Sequence, residues 1–292
     1  MSNVASGTVT PISTRTNTAG TPIPVGSEPF LIVITPNGKT AYVLTSGGRD
    51  MPDKAVPIRT ATNTAGTAVT VGMDARAIAV TPNGKTVYVV NAGSDTVTPI
   101  RTASNTAGAP IPVGSFPEGI AITPNGKTAY VSNAGSDTVT PIRTASNTPG
   151  APIPVGRNPL AIAITPNGKT AYVTNLVSET VTPIRTASNT PGTPIPVGRH
   201  PAAIGITPNG KTAYVVNGLS DTVTPIQTAT NIPGRPIPVG RGPRAIAFTP
   251  NGKTAYVPND TSGTVTPIRT SVNKAGPPIP VGSFPSAIAI TP

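Results

Sequence analysis

The chain has no cysteine and no tryptophan, one histidine, and only six tyrosines and four phenylalanines in 292 residues. Without cysteine there is neither a disulfide framework nor thiolate chemistry, and the redox compartment leaves no mark. So few aromatics exclude a platform for single-stranded nucleic acid, which needs rings for bases to stack on. The missing indole argues in the same way against a quinone cofactor stacked on tryptophan, and no cofactor is expected. Acid is short too, with ten Asp and Glu against twenty-one Lys and Arg, a net charge of +11. No apolar run approaches the ~20 residues of a membrane span, and no basic-then-apolar leader precedes the first repeat.

What the chain has in abundance is repetition. The word Val-Thr-Pro-Ile begins at Val9, Val97, Val139, Val181, Val223 and Val265, with a worn copy at Ala55, so the step is 42 residues except for one of 46. A period of this size with four short extended segments per unit predicts a β-propeller. Within one unit, residues 119–122 alternate as strand A. The Thr123-Pro124-Asn125-Gly126-Lys127 stretch is a tight turn, because proline presets one dihedral and Asn-Gly tolerates positive φ. Residues 128–132 form strand B, residues 138–142 strand C, and residues 110–113 show strand D of the preceding copy. Apolar residues on both faces of A and B suit sheets packed from both sides, whereas Pro-Ile-Pro-Val belongs on an outer edge. Pro99 and its equivalents in strand C predict a bulge or a weakened C to D pairing.

Strand counting predicts seven blades in a single domain spanning residues 1–292, all-β with four antiparallel strands per blade. Such a ring buries roughly three quarters of its unfolded surface. Seven A strands are present, the last at residues 287–291, but only six complete B strands, marked by Tyr42, Tyr88, Tyr130, Tyr172, Tyr214 and Tyr256. The closing blade is therefore expected to combine both termini and to lack part of its B strand. Met1 falls where a repeat would carry Val, which predicts further repeat sequence upstream.

Tyr172-Val173-Thr174-Asn175, with the recurrent Asn-Gly-Lys-Thr-Ala-Tyr-Val turn and strand and the Pro-Ile-Pro-Val-Gly edge, resembles the YVTN-repeat β-propellers of bacterial and archaeal surface proteins. The resemblance covers essentially the whole chain. It implies an extracellular or cell-surface place and a binding or interaction role. The wider group of propellers includes lactonases and an antibiotic-opening lyase. No catalytic set from them maps here by motif, and such a lyase implies more than one histidine near a metal.

Propeller topology sorts the charges. The A to B turns and C to D links share one end of the strands, which carries Lys39, Lys85, Lys127, Lys169, Lys211 and Lys253, Arg59, Arg101, Arg143, Arg185 and Arg269, and also Arg15, Arg235 and Lys274. All ten acids fall in the D to A and B to C connections at the other end. The six turn lysines are candidates for holding an anionic polymer, such as a cell-surface polyanion, and nucleic acid would be held only nonspecifically. Copied turn chemistry and solubility account for the same lysines without any partner.

The copies differ most in the D to A loops, and loops on a rigid scaffold are the usual seat of binding. Glu28, Phe30, Asp74, Arg76, Phe116, Glu118, Arg157, Arg199, His200, Arg241, Arg244 and Phe284 are the candidate ligand residues there. Arg157, Arg199 and Arg241 recur at one position, with Glu28, Asp74 and Glu118 opposite them, a two-signed rim suited to a small anionic or zwitterionic ligand. His200 is the one candidate general acid or base, beside Glu118 or Glu179. With no converging nucleophile and orienting group, the leading expectation is a non-catalytic binding propeller, monomeric, and the alternative is a lyase or lactonase-like hydrolase. Further alternatives are a structural surface-layer module and the polyanion binder. Asp53, Asp95, Asp137, Glu179 and Asp221 recur at one B to C position, one per blade. That spacing suits acceptors of backbone N–H bonds better than a metal, and no metal is expected. Residues 45–54 form an insertion four residues longer than its counterparts, a flap that could lean over the site.

Overall fold

A computed structural model of the chain describes residues 1–290. Its regular structure is β throughout, in repeated sheets ordered A, B, C, D, with one 3₁₀ turn at Ala92–Ser94. The chain groups into two compact units, residues 1–131 with 140–150, and residues 132–139 with 151–292.

In the first unit a complete sheet consists of strand A at Ala75–Val80, B at Thr86–Asn91 and C at Thr96–Arg101, followed by two short pieces, Thr106–Ala107 and Ile111–Pro112. Both pieces pair with strand C. Ile100 and Arg101 face Ala107 and Thr106, while Thr96 and Val97 face Pro112 and Ile111. Opposite Thr98 and Pro99 the outer ladder is interrupted, as the strand proline predicts. The Pro99 carbonyl instead accepts the Gly108 N–H at 2.7 Å. A register shift occurs elsewhere, at the start of strand A between Ala75 and Ala77, and likewise between Pro29 and Leu31. The residue left out of the ladder is Arg76 or Phe30, and a left-handed residue, Asp74 or Glu28, immediately precedes the strand.

Strand B shows how a period of two builds this fold. Tyr88 and Val90 point into one core with Val97, Ala129, Val131 and Ile142, whereas Val87 and Val89 point into another with Tyr42 and Leu44. Each B strand thus belongs to two cores, which is why it has no polar face. Burying each such side chain contributes about 1.5–3 kcal/mol.

The second unit repeats the plan. Tyr172 and Val181 pack with Ala213, Val215 and Ile226, and Tyr214, Val216 and Val223 with Ala255, Val257 and Ile268. Its A strands at Pro159–Ile164 and Pro201–Ile206 are full length, but the next is reduced to Ala247–Phe248. The final A strand expected at residues 287–291 is not formed as far as residue 290, and Thr291 lies outside the described residues. The amino-terminal residues do supply outer strands without a full B strand: Ser2–Asn3, Thr8–Val9 and Ile23–Pro24 form one sheet, and Ile12–Ser13 pairs with Thr18–Ala19.

The repeated words are structural instructions. The Tyr88 hydroxyl donates to Asn147 Oδ1 at 2.6 Å in the C to D link of the following repeat, and Tyr172 does the same to Asn231 at 2.7 Å. The last Asn of strand B is equally local in purpose. Asn217 Nδ2 donates to Thr222 and Thr224 hydroxyls, and a Cβ on Gly198 would lie 2.8 Å from Asn217 Cγ, so that position must stay glycine.

Candidate functional site

The D to A loops are built alike. Their second residue is left-handed in every copy, with φ between 45° and 68° at Glu28, Asp74, Phe116, Asn158, His200, Gly242 and Phe284. That conformation is costly for most side chains, and the B to C acids stabilise it. Asp95 Oδ1 accepts the Phe116 N–H at 2.7 Å, Asp137 the Asn158 N–H at 2.7 Å, and Asp221 the Gly242 N–H at 2.8 Å. These recurrent carboxylates are turn acceptors, as their spacing suggests. Two copies depart from the rule. Glu179 lies 3.9 Å from Arg199 Nε, and Asp53, at the end of the insertion, accepts the N–H groups of Gly47 and Ala75.

That second departure lies at the wall of a cavity of about 660 Å³ in the first unit. Asp53 holds the insertion by the Gly47 amide and the next loop by the Ala75 amide, so a single carboxylate ties the two together. Glu28, Asp74 and Arg76 line the cavity from the D to A loops, and Asp50, Met51 and Asp53 from the insertion, with Phe30, Leu31 and Met73 as its apolar part. Arg76 is the centre of charge. Its Nη2 meets Asp74 Oδ2 at 2.9 Å and its guanidinium carbon stands 5.9 Å from the centroid of the Phe116 ring. Glu118 shares this electrostatic neighbourhood. Burial pushes its carboxyl above the usual value, Arg76 opposes the rise and Asp74 adds to it.

Four expected residues, Glu28, Phe30, Asp74 and Arg76, therefore line one cavity, with Phe116 and Glu118 tied to it through Arg76. The wall residues Asp50, Met51 and Asp53 were not among the site candidates, although the unusual length of their loop was the signal. In the second unit the candidates are dispersed. Arg157, Arg199 and Arg241 are exposed, and their amides donate to Ser178, Ser220 and Ser262. Arg244 pairs with Asp260 at 2.9 Å and Phe284 is exposed. Glu179, one proposed partner of His200, is occupied by Arg199, and the His200 ring lies against Gly218. Among the described residues no three His, Cys, Asp or Glu side chains gather where they could hold a metal ion.

No curated protein matches the chain in sequence. Among solved structures it is similar to Kuenenia stuttgartiensis hydrazine synthase, with 24% identity, a TM-score of 0.71 and 88% of each chain covered. A protein of unknown function from Desulfotomaculum acetoxidans shares 18% identity with a TM-score of 0.76 over 97% of this chain and 96% of that one. A candidate 6-phosphogluconolactonase from Bacteroides uniformis shares 18% identity with a TM-score of 0.73 over 95% and 93%. At these identities the likeness establishes the propeller fold and nothing finer. Residues 27–193, which include the insertion, every charged residue of the cavity and Glu118, match the model of a family described as lactonase, 7-bladed beta-propeller. This chain belongs to that family.

Proposed function

We propose that the protein is a lactonase-like hydrolase that opens the ring of a small polar lactone in the cavity of the first unit. The observation that carries this reading is the Asp74–Arg76 pair at the cavity wall with a half-buried Glu118, its proton affinity raised by burial, in its field, within a chain that matches a lactonase family. In this scheme the Glu118 carboxylate takes a proton from water as the water oxygen adds to the lactone carbonyl carbon. The carbon to ring-oxygen bond then breaks and the proton returns to the departing alkoxide, giving the open hydroxy acid. Arg76 supports the negative charge that develops on the carbonyl oxygen. A raised pKa makes Glu118 a stronger base than an exposed carboxylate. The sugar lactone named for the Bacteroides relative makes sugar lactones the first class to try.

The test is hydrolysis of five- and six-membered sugar lactones, 6-phosphogluconolactone included. Glu118→Gln should lower kcat about 100-fold or more with KM little changed, the scale of a lost general base. Arg76→Ala should depress both binding and turnover. The acid limb of kcat/KM should lie above the 4.5 of a free glutamic acid, since activity is lost as pH falls through the raised value. Asp74→Asn should move that limb down and Arg76→Ala should move it up. Ring opening no faster than in buffer, across the panel, would sink the enzymatic reading.

A non-catalytic binding site, the leading expectation from sequence, uses the same cavity without the proton transfer. It is the second reading, favoured by the dispersal of His200 and the arginines of the second unit. The YVTN pattern, on which an extracellular or surface place rests, is accounted for largely by packing. Its tyrosine and asparagine hold neighbouring strands and links.

A further inference from the structure

The end of the strands opposite the cavity loops carries cations that make no ion pair among the described residues. The turn lysines are placed by backbone bonds. Asn83 Oδ1 accepts the Lys85 N–H at 3.0 Å, and the Thr102 N–H donates to the Lys85 carbonyl at 3.0 Å. The Thr102 hydroxyl locks the same turn through the Gly84 carbonyl at 2.6 Å. Because Thr86 pairs with Arg101, the lysine turn is held against the arginine that ends strand C. The second unit repeats this, with Thr186 bonded to the Lys169 carbonyl and Thr170 paired with Arg185. None of these bonds uses a lysine ammonium, so the turn needs an amide at that position and not a charge. All six turn lysines are exposed, and the three ion pairs among the described residues involve other cations.

A second observation lies beside them. A groove of about 640 Å³ in the second unit is lined by Lys169, Arg185, Thr190 and the link from Thr228 to Asn231. It presents hydroxyls, peptide groups and two cations, with no acid and no aromatic side chain among its lining residues. Tyr172 is buried and its hydroxyl is engaged by Asn231. Like charges repel, so an unneutralised Lys and Arg at one end of the same sheet carry a cost that an anion would relieve. The lining of this groove offers no ring on which bases could stack.

We infer that the turn face of each unit binds a linear phosphate-bearing polyanion that carries no bases. This surface is separate from the cavity and does not depend on its chemistry. The experiment measures binding of fluorescently labelled long-chain inorganic polyphosphate to the full chain over a range of salt. Binding should weaken linearly in log–log form, with a slope of roughly −0.7 per contacted phosphate for a single strand. The triple variant Lys169→Gln, Lys211→Gln, Lys253→Gln should bind at least tenfold more weakly with a shallower slope. Replacing the same three lysines by arginine should retain binding. Unfolding midpoints equal to that of the parent protein keep the comparison free of folding effects. No binding, binding indifferent to salt, or a glutamine variant equal to the parent protein would overturn the inference. So would tighter binding of oligothymidylate of equal charge, which would assign the face to nucleic acid.

Discussion

Gly198 is fixed by its neighbour rather than by its own backbone. A methyl group there would meet Asn217 Cγ and Nδ2, both at 2.8 Å, and Asn217 cannot retreat without losing the Thr222 and Thr224 hydroxyls. Gly198→Ala should therefore destabilise the chain by about 1–3 kcal/mol, as overpacking does, read as a lower urea midpoint. The double variant with Asn217→Ala should be less than additive, and strict additivity would show that the two residues do not meet. Gly205 follows the same logic at a site where the copies differ. Phe248 stands where other repeats carry a smaller aliphatic residue, and a Cβ on Gly205 would lie 2.8 Å from its ring. The glycine pattern was visible in sequence, but its reason, a side chain in a different strand, was not.

The insertion is the one element that breaks the repeat, and it provides much of the wall of the cavity. Its ends stay in the ordinary ladder, with Thr45 opposite Lys54, so the extra residues must project from the sheet. Replacing residues 45–53 by Asn-Ala-Gly-Ser-Asp, the form found at residues 91–95, keeps the equivalent of Asp53 and removes Asp50 and Met51. KM for a lactone substrate, or Kd for a bound ligand, should rise about tenfold or more, equivalent to about 1.4 kcal/mol. Isothermal titration or steady-state kinetics reads the change, and an unaltered constant would make the loop decorative. Loop length pointed to this element, yet which of its residues would reach the cavity depended on Asp53 bonding two separate loops.

Across the whole molecule the buried tyrosines tie stability to alkaline pH. Burial pushes Tyr88, Tyr130, Tyr172 and Tyr214 from 10.0 up to about 12. Below the unfolded value the neutral rings suit both states and nothing is lost. As pH climbs from there toward the folded value, the unfolded chain releases protons that the folded chain retains, so stability falls. Strand circular dichroism and tyrosinate absorbance should change together in that interval. Tyrosinate from these four rings appearing near pH 10 with the strand signal intact would contradict the burial. Membership of a seven-bladed family agrees with the seven copies counted from the Val-Thr-Pro-Ile word and its worn version.

Strand alternation, the Asn-Gly turns and the separation of acids from turn lysines were all decided by the sequence alone, because each depends on residues a few positions apart or on a strict period. The cavity was decided by tertiary structure. It joins Glu28, Asp50, Asp74 and Arg76 from three separate connections, and the proton affinity of Glu118 comes from burial and from the charges of Arg76 and Asp74 in another repeat. Desolvation and through-space charge depend on distances that no local pattern encodes.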